Sequence, residues 1–219
     1  MSRAVIFING SYADLDGIRA RLRQDDYLVC ADGALRVLDR LGLQPQVLLG
    51  DFDSVEPALL QSAEAAGVEL IRFPQEKDYT DGELALRHVA AAGYRQILLL
   101  GAWGGRIDHS LGNLLMLPPY VEQGIGIALS DGRTDAWLVN RELTLSGCRG
   151  KLVSLLPLSP EVTGIALQGF YYSLDEPPVL RWGASRGLSN VPLVDAPRIS
   201  VEQGMLLVIV TPDDEGTAS

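Results

Sequence analysis

Tyr27-Leu28-Val29-Cys30-Ala31-Asp32-Gly33-Ala34-Leu35-Arg36-Val37-Leu38-Asp39-Arg40-Leu41 is the stretch whose reading decides the fold of the first half of the chain. Its first five residues form a short apolar run without alternation, as in a strand buried on both faces. The polar pair Asp32-Gly33 follows, and then Leu35, Val37, Leu38 and Leu41 fall on one helix face. Strand, polar turn and helix make up the repeating unit of a parallel sheet with crossover helices. The unit recurs on both sides, with strands expected near residues 4–8, 47–49, 68–73, 96–100 and 125–129, and a second apolar helix face at Leu84, Leu86, Val89 and Ala90. Pro57 near a helix start, Gly67 after its end and Pro118-Pro119 closing another helix are the matching punctuation.

Beyond about residue 133 the pattern changes to short β-rich runs, at 152–156, 162–167 and 205–211, separated by Gly, Pro and Asn turns. The expected fold is therefore α/β: a parallel-sheet, Rossmann-like N-terminal domain over residues 1–132, then a small antiparallel β-sandwich over 133–212. Residues 213–219 read as a disordered tail.

A chain of 219 residues with 47% hydrophobic content can bury a real core. The formal charge of −10 and the lack of clustered Lys and Arg argue against a nucleic-acid surface. No apolar run is long enough to cross a bilayer, and the opening ten residues are too short and too soon broken by Asn9-Gly10 for a signal peptide. The expectation is a cytoplasmic enzyme with no membrane partner. Cys30 and Cys148 have no metal-ligand spacing and read as reduced residues in or near the core.

Polar clusters follow the expected strands, at the carboxyl edge where such sheets bind ligands: Asn9-Gly10, Asp32-Gly33, Gly50-Asp51-Phe52-Asp53-Ser54, Lys77-Asp78-Tyr79-Thr80-Asp81, and the glycine-rich run 101–109. Asp32, Asp51, Asp53, Asp78, Asp81 and Asp108 would crowd one crevice, where their mutual repulsion calls for cations. Magnesium, held by one or two carboxylates while substrate phosphates fill other positions, answers that need and implies a polyphosphate substrate. Arg106, in a turn whose backbone N–H groups can face an anion, and Lys77, one of two lysines in the chain, would supply positive charge to phosphate oxygens. Each of these residues also has a plainer reading. Thr80-Asp81-Gly82-Glu83 fits a capping box, Asp108 could cap a helix over 109–117, and Asp53 or Ser54 could cap the helix that follows them. His109 could contact phosphate or pack at a helix start, and His88 reads as an ordinary surface residue of a helix. There is no G-x-x-x-x-G-K-[ST] loop and no G-x-G-x-x-G. Gly183-Ala184-Ser185-Arg186-Gly187 matches G-x-S-x-G, but in a β-rich region and with both histidines before it, the wrong order for that triad.

Four ordered motifs resemble the thiamine pyrophosphokinase family: Ala31-Asp32-Gly33-Ala34; Gly50-Asp51-Phe52-Asp53-Ser54; Lys77-Asp78-x-Thr80-Asp81-x-Glu83; and Gly101-x-x-Gly104-Gly105-Arg106-x-Asp108-His109-x-x-x-Asn113. The C-terminal half is similar more thinly, through Leu180-Arg181-Trp182 and Ser189-Asn190. The resemblance implies transfer of a pyrophosphoryl group from ATP to the hydroxyl of thiamine, with magnesium as cofactor, in a homodimer whose active sites lie between subunits. It implies Asp51, Asp53, Asp81 and Asp108 as catalytic or metal-binding, with Asp51, Asp53 and Asp81 on the metal. Arg106 would act on the phosphates. Asp32, Lys77, Asp78, Gly104, Gly105, His109 and Asn113 would bind the nucleotide. Trp182 would stack on thiamine, and Ser189 and Asn190 would hydrogen-bond to it. Two alternatives stay open at this point: a pyrophosphokinase for another small alcohol such as a hydroxymethylpterin, and a non-catalytic sensor of nucleotide or thiamine diphosphate.

Overall fold

A computed structural model describes residues 3–76, 78–174 and 177–214. The chain divides into two compact units, residues 1–132 and 133–219. In the first, strands and helices alternate: β1 (Ala4–Phe7), α1 (Leu15–Arg21), β2 (Tyr27–Ala31), α2 (Leu35–Leu41), β3 (Val47–Gly50), α3 (Pro57–Ala65), β4 (Glu69–Arg72), α4 (Asp81–Ala91), β5 (Gln96–Leu100), α5 (Ile107–Leu115), α6 (Pro118–Glu122) and β6 (Gly126–Ser130). The six strands pair in parallel in the order β4-β3-β2-β1-β5-β6. Every residue of β1 and β3 is buried, which is why these strands are apolar throughout, whereas the edge strand β4 exposes Glu69 and Arg72. Burying each large side chain, such as Ile6, Phe7, Leu48 or Leu49, contributes about 1.5–3 kcal/mol. The chain runs outward from β1 to β4 and then restarts on the other side with β5, so the order reverses between β1 and β5. Loops splay apart at such a reversal and leave a crevice at the carboxyl ends of the strands.

The second unit is antiparallel β structure: β7 (Asp135–Val139), β8 (Glu142–Thr144), β9 (Lys151–Pro157), β10 (Glu161–Thr163), β11 (Ala166–Gln168), β12 (Val179–Arg181), β13 (Arg198–Ser200) and β14 (Leu206–Pro212). It pairs as β7-β14-β9, β10-β12 and β11-β13-β8. Val153, Leu155, Val162, Leu180, Ile199, Leu206 and Val208 meet in one apolar core between these sheets. The fold class is the one the residue pattern predicts. Among the described residues no helix is long and apolar enough to cross a membrane.

Several local expectations change. The run 162–167 is two strands, β10 and β11, because the chain turns at Gly164 with φ 64°. Pro118 starts α6 instead of closing a helix, since a proline at the first helical position gives up an N–H that has no acceptor there. The helix expected at 109–117 lies two residues earlier, as α5. On α4 the buried face is Ala85, Leu86 and Val89, with Leu84 and Ala90 only half-buried. His88 is not an ordinary surface residue: it is half-buried, and its Nε2 is sealed from solvent without a hydrogen-bond partner among the described residues. At the end of the chain β14 runs through Pro212 and Asp214 pairs with Arg133, while residues 215–219 lie outside the described residues. Both cysteines are buried free thiols whose pKa burial pushes up.

Candidate active site

The crevice at the strand reversal is a cleft of about 680 Å³. It is built from the loops after β1, β2, β3 and β5 and from the starts of α4 and α5. Asp32, Asp51, Asp53, Asp81, Gly104, Gly105, Arg106, His109 and Asn113 all line it. Asp78 is exposed and does not line it, and Asp108 reaches the site only through Arg106. Lys77 lies outside the described residues.

Asp32, Asp51 and Asp53 each offer a carboxylate oxygen, and these oxygens all lie within 4.8 Å of one another. The grouping differs from the Asp51, Asp53 and Asp81 set implied by the resemblance: Asp32 joins it, and Asp81 lines the same cleft without being part of it. Local backbone explains why. Asp32 follows β2 with φ 44°, and Phe52 holds φ 68° between the two acids of the next loop, a conformation that is uncommon for a bulky side chain. The Phe52 ring is buried beneath the Arg72 guanidinium, 4.7 Å from its centroid, which fixes the turn. Asp51 Oδ1 accepts the Asp53 N–H at 3.0 Å, and Asp53 accepts from Ser54 Oγ and from Gln75 Nε2, both at 2.9 Å. Gly50 makes room for the convergence, because a Cβ there would sit 2.9 Å from the Cβ of Asp32.

Burial pushes the Asp32 carboxyl above the usual carboxylate range; the Gly33 N–H and Ser54 hydroxyl beside it oppose the rise, and the charges of Asp81 and Asp51 add to it. Its Oδ1 is buried and has no hydrogen-bond partner among the described residues. A buried acceptor left open, beside two further carboxylates, is a donor set suited to a hard divalent cation.

The opposite side of the cleft is the turn after β5. Asp108 grips Arg106 through two parallel hydrogen bonds, Nε to Oδ1 at 3.1 Å and Nη2 to Oδ2, and this guanidinium lowers the Asp108 carboxyl to about 2. Ser110 Oγ accepts the Gly104 N–H at 3.1 Å and donates to the Arg106 carbonyl at 2.9 Å, so the Gly104 amide is spent inside the loop. The buried Asn113 Nδ2 donates to the Ala102 carbonyl at 2.8 Å and ties α5 to the same turn. Asn113 therefore shapes the loop from behind. Thr80 Oγ1 caps α4 through the Glu83 N–H, while the Glu83 carboxylate holds Arg87 at 2.9 Å, which marks Glu83 as structural. Ser11, Arg36, Gln75, Tyr79 and Ser110 also line the cleft and were not singled out from the sequence. Of these, only Ser110 had a readable signal, as a hydroxyl one helical turn after Arg106.

Trp182, Ser189 and Asn190 belong to the second unit. Trp182 follows β12 and is 63% exposed. Ser189 has φ 55° and donates its N–H to Ser154 Oγ at 3.1 Å. Asn190 is buried; its Oδ1 accepts the Tyr172 and Val191 N–H groups and its Nδ2 donates to the Tyr172 carbonyl. Its carboxamide thus clamps the segment carrying the exposed, edge-to-face pair Tyr171 and Tyr172.

A family model described as thiamin pyrophosphokinase, catalytic domain, matches residues 18–129, and one described as thiamin pyrophosphokinase, vitamin B1 binding domain, matches residues 139–206. Thiamine pyrophosphokinase of Bacillus subtilis is 30% identical over 183 residues, spanning 83% of this chain and 85% of that protein. Thiamine pyrophosphokinase 1 of rice, Oryza sativa subsp. japonica, is 27% identical over 235 residues, spanning 94% and 86%. Among solved structures, thiamin pyrophosphokinase from Geobacillus thermodenitrificans superposes with a TM-score of 0.82 at 27% identity over 98% of this chain and 99% of its own. The Bacillus subtilis enzyme shares the fold with a TM-score of 0.85 at 24% identity over 97% and 100%.

Proposed function

Because the chain belongs to the thiamine pyrophosphokinase family, we propose that it transfers the pyrophosphoryl group of ATP to the hydroxyl of thiamine, giving thiamine diphosphate and AMP. The observation that carries the reading is the convergence of Asp32, Asp51 and Asp53 in a cleft that also presents Arg106. Nothing favours the pterin or sensor readings, since both matched family models name thiamin pyrophosphokinase.

Asp32, Asp51 and Asp53 would hold magnesium, with Asp81 adding negative charge nearby. Bound there, the ion supplies charge neutralisation at the phosphoryl oxygens. The thiamine hydroxyl oxygen bonds to the β-phosphorus, the bond from that phosphorus to the α–β bridging oxygen breaks, and AMP leaves with the bridging oxygen. The hydroxyl proton passes to an aspartate carboxylate of the cleft. Arg106, oriented by Asp108, offers its remaining donors to phosphate oxygens, and Gly105 and His109 line the same cleft. Ser110 and Asn113 keep that loop in shape, and Lys77 and Asp78 would serve the nucleotide from the loop before α4. Trp182 would stack on thiamine, with Ser189 as a hydrogen-bonding partner and Asn190 holding the neighbouring segment in place.

Homodimerisation and a cytoplasmic location complete the reading. Ile107, Leu111 and Leu115 lie one above another on α5 and are 76%, 53% and 66% exposed, a stripe that a second subunit would cover. The direct test incubates the purified chain with ATP, magnesium and thiamine and identifies the products. AMP with thiamine diphosphate is expected. ADP with thiamine monophosphate would make the chain a simple kinase, and no thiamine product would refute the reading.

A further inference from the structure

We infer that Arg36 is a polyphosphate-binding residue, set by Asn9 at the acidic end of the cleft, and that it favours a nucleoside triphosphate over a monophosphate. The inference rests on the pyrophosphokinase reading above.

Two described cations line the cleft, Arg36 and Arg106. Sheet order separates them: β3 and β2 lead into the three clustered aspartates and then into Arg36 on α2, β1 leads into Asn9, and β5 leads into Arg106. The Arg106 charge is already offset by Asp108. Arg36 instead donates from Nη2 to the Asn9 carboxamide oxygen, a neutral acceptor, and no carboxylate among the described residues pairs with it.

That choice of partner is informative. A flexible guanidinium that lines a cleft together with three carboxylates could close onto one of them, and its bond to Asn9 holds it elsewhere. Asn9 is itself seated on the turn after β2, because a Cβ on Gly33 would meet its Nδ2 at 2.8 Å. The Asn9 oxygen is thereby aimed at α2, where Leu35, Val37, Leu38 and Leu41 face the core and leave Arg36 on the solvent side. Among the described residues, the result is a positive charge kept available beside the acidic loops of the cleft. A planar fork of donors held there matches phosphate oxygens drawn in beside a cation on the aspartates. Those are the phosphates to be transferred, which ATP has and AMP lacks.

The test measures binding of ATP and of AMP, each with magnesium, by calorimetry on the full chain, together with the Michaelis constants for ATP and thiamine. Arg36→Gln should weaken ATP binding at least about tenfold while AMP binding and the thiamine constant stay within about twofold. Arg36→Lys should recover part of the loss, because it restores the charge without the fork, and Asn9→Ala should weaken ATP binding by a smaller factor. Arg36→Gln binding ATP like the wild type, or losing ATP and AMP equally, would overturn the role of Arg36 while leaving the enzyme reading intact. A wild-type chain that neither binds ATP nor makes thiamine diphosphate would overturn both.

Discussion

Replacing Asp32 with Asn should stabilise the protein in the absence of divalent metal and remove its response to magnesium. Three carboxylate oxygens within 4.8 Å of one another repel. Coulomb's law gives roughly 0.9 kcal/mol per pair at that distance in bulk water and roughly 3.5 kcal/mol at an effective dielectric near 20. Asp53 is exposed and Asp51 half-buried, so the lower figure applies, and relief of two pairs comes to about 2 kcal/mol. Weaker acceptance from the Gly33 N–H and the Ser54 hydroxyl offsets part of this, at about 0.5–1 kcal/mol. Asn keeps the left-handed backbone at little cost. The net expectation is a gain of about 1–1.5 kcal/mol at pH 7, read as a higher urea midpoint in a chelator. The sign with pH follows from the raised Asp32 pKa. The protonated acid is the form the fold prefers, so its favourable contribution is complete below the unfolded-state value and is lost as pH rises through the folded-state value. The advantage of Asp32→Asn should therefore vanish on acidification. Magnesium at ten times its dissociation constant should stabilise the wild type by about 1.4 kcal/mol and the variant by much less. A variant that is less stable at pH 7 without metal, or that gains as much from magnesium, would refute the electrostatic account.

Arg106→Gln should return the Asp108 titration from about 2 toward the ordinary carboxylate value, followed by carboxyl NMR; an unmoved midpoint would show that Arg106 does not set it. The pair's stabilising contribution exists above the unfolded-state pKa and disappears as pH falls through about 2, so it should persist unchanged at pH 5 to 7. Ser110→Ala should cost about 1 kcal/mol of loop order and accelerate hydrogen exchange at the Gly104 amide, with turnover falling several-fold; unchanged exchange would mean the Gly104 contact is unimportant. Trp182→Ala should raise the thiamine Michaelis constant about three- to tenfold and leave that for ATP in place, and a change confined to ATP would remove Trp182 from the thiamine site.

Much of the first unit was legible because its physics is local. Apolar runs such as Tyr27–Ala31 and Gln96–Leu100 are strands buried on both faces, and the same residues bound them in the structure. The polar loops could be placed at one sheet edge because every connection is a parallel crossover. What could not be read was which carboxylates converge. Asp32 joins Asp51 and Asp53 through two left-handed backbone positions and one missing Cβ, and no periodicity reports φ at Asp32 or Phe52. Arg36 was hidden for a related reason: on a helix it looks like any solvated arginine until Asn9, in the loop after β1, is seen beside it. In the second unit the short strands depend on partners distant in sequence, so the break at Gly164 and the clamp made by Asn190 were invisible as letters.

The two buried thiols make the protein a clean background for labelling. Cys30 and Cys148 are the only cysteines of the chain, and both sit in apolar surroundings that keep the sulfur protonated and poorly reactive. A single cysteine introduced on an exposed position of either unit would therefore take up a maleimide dye or spin label selectively, without first removing the native sulfurs from the core.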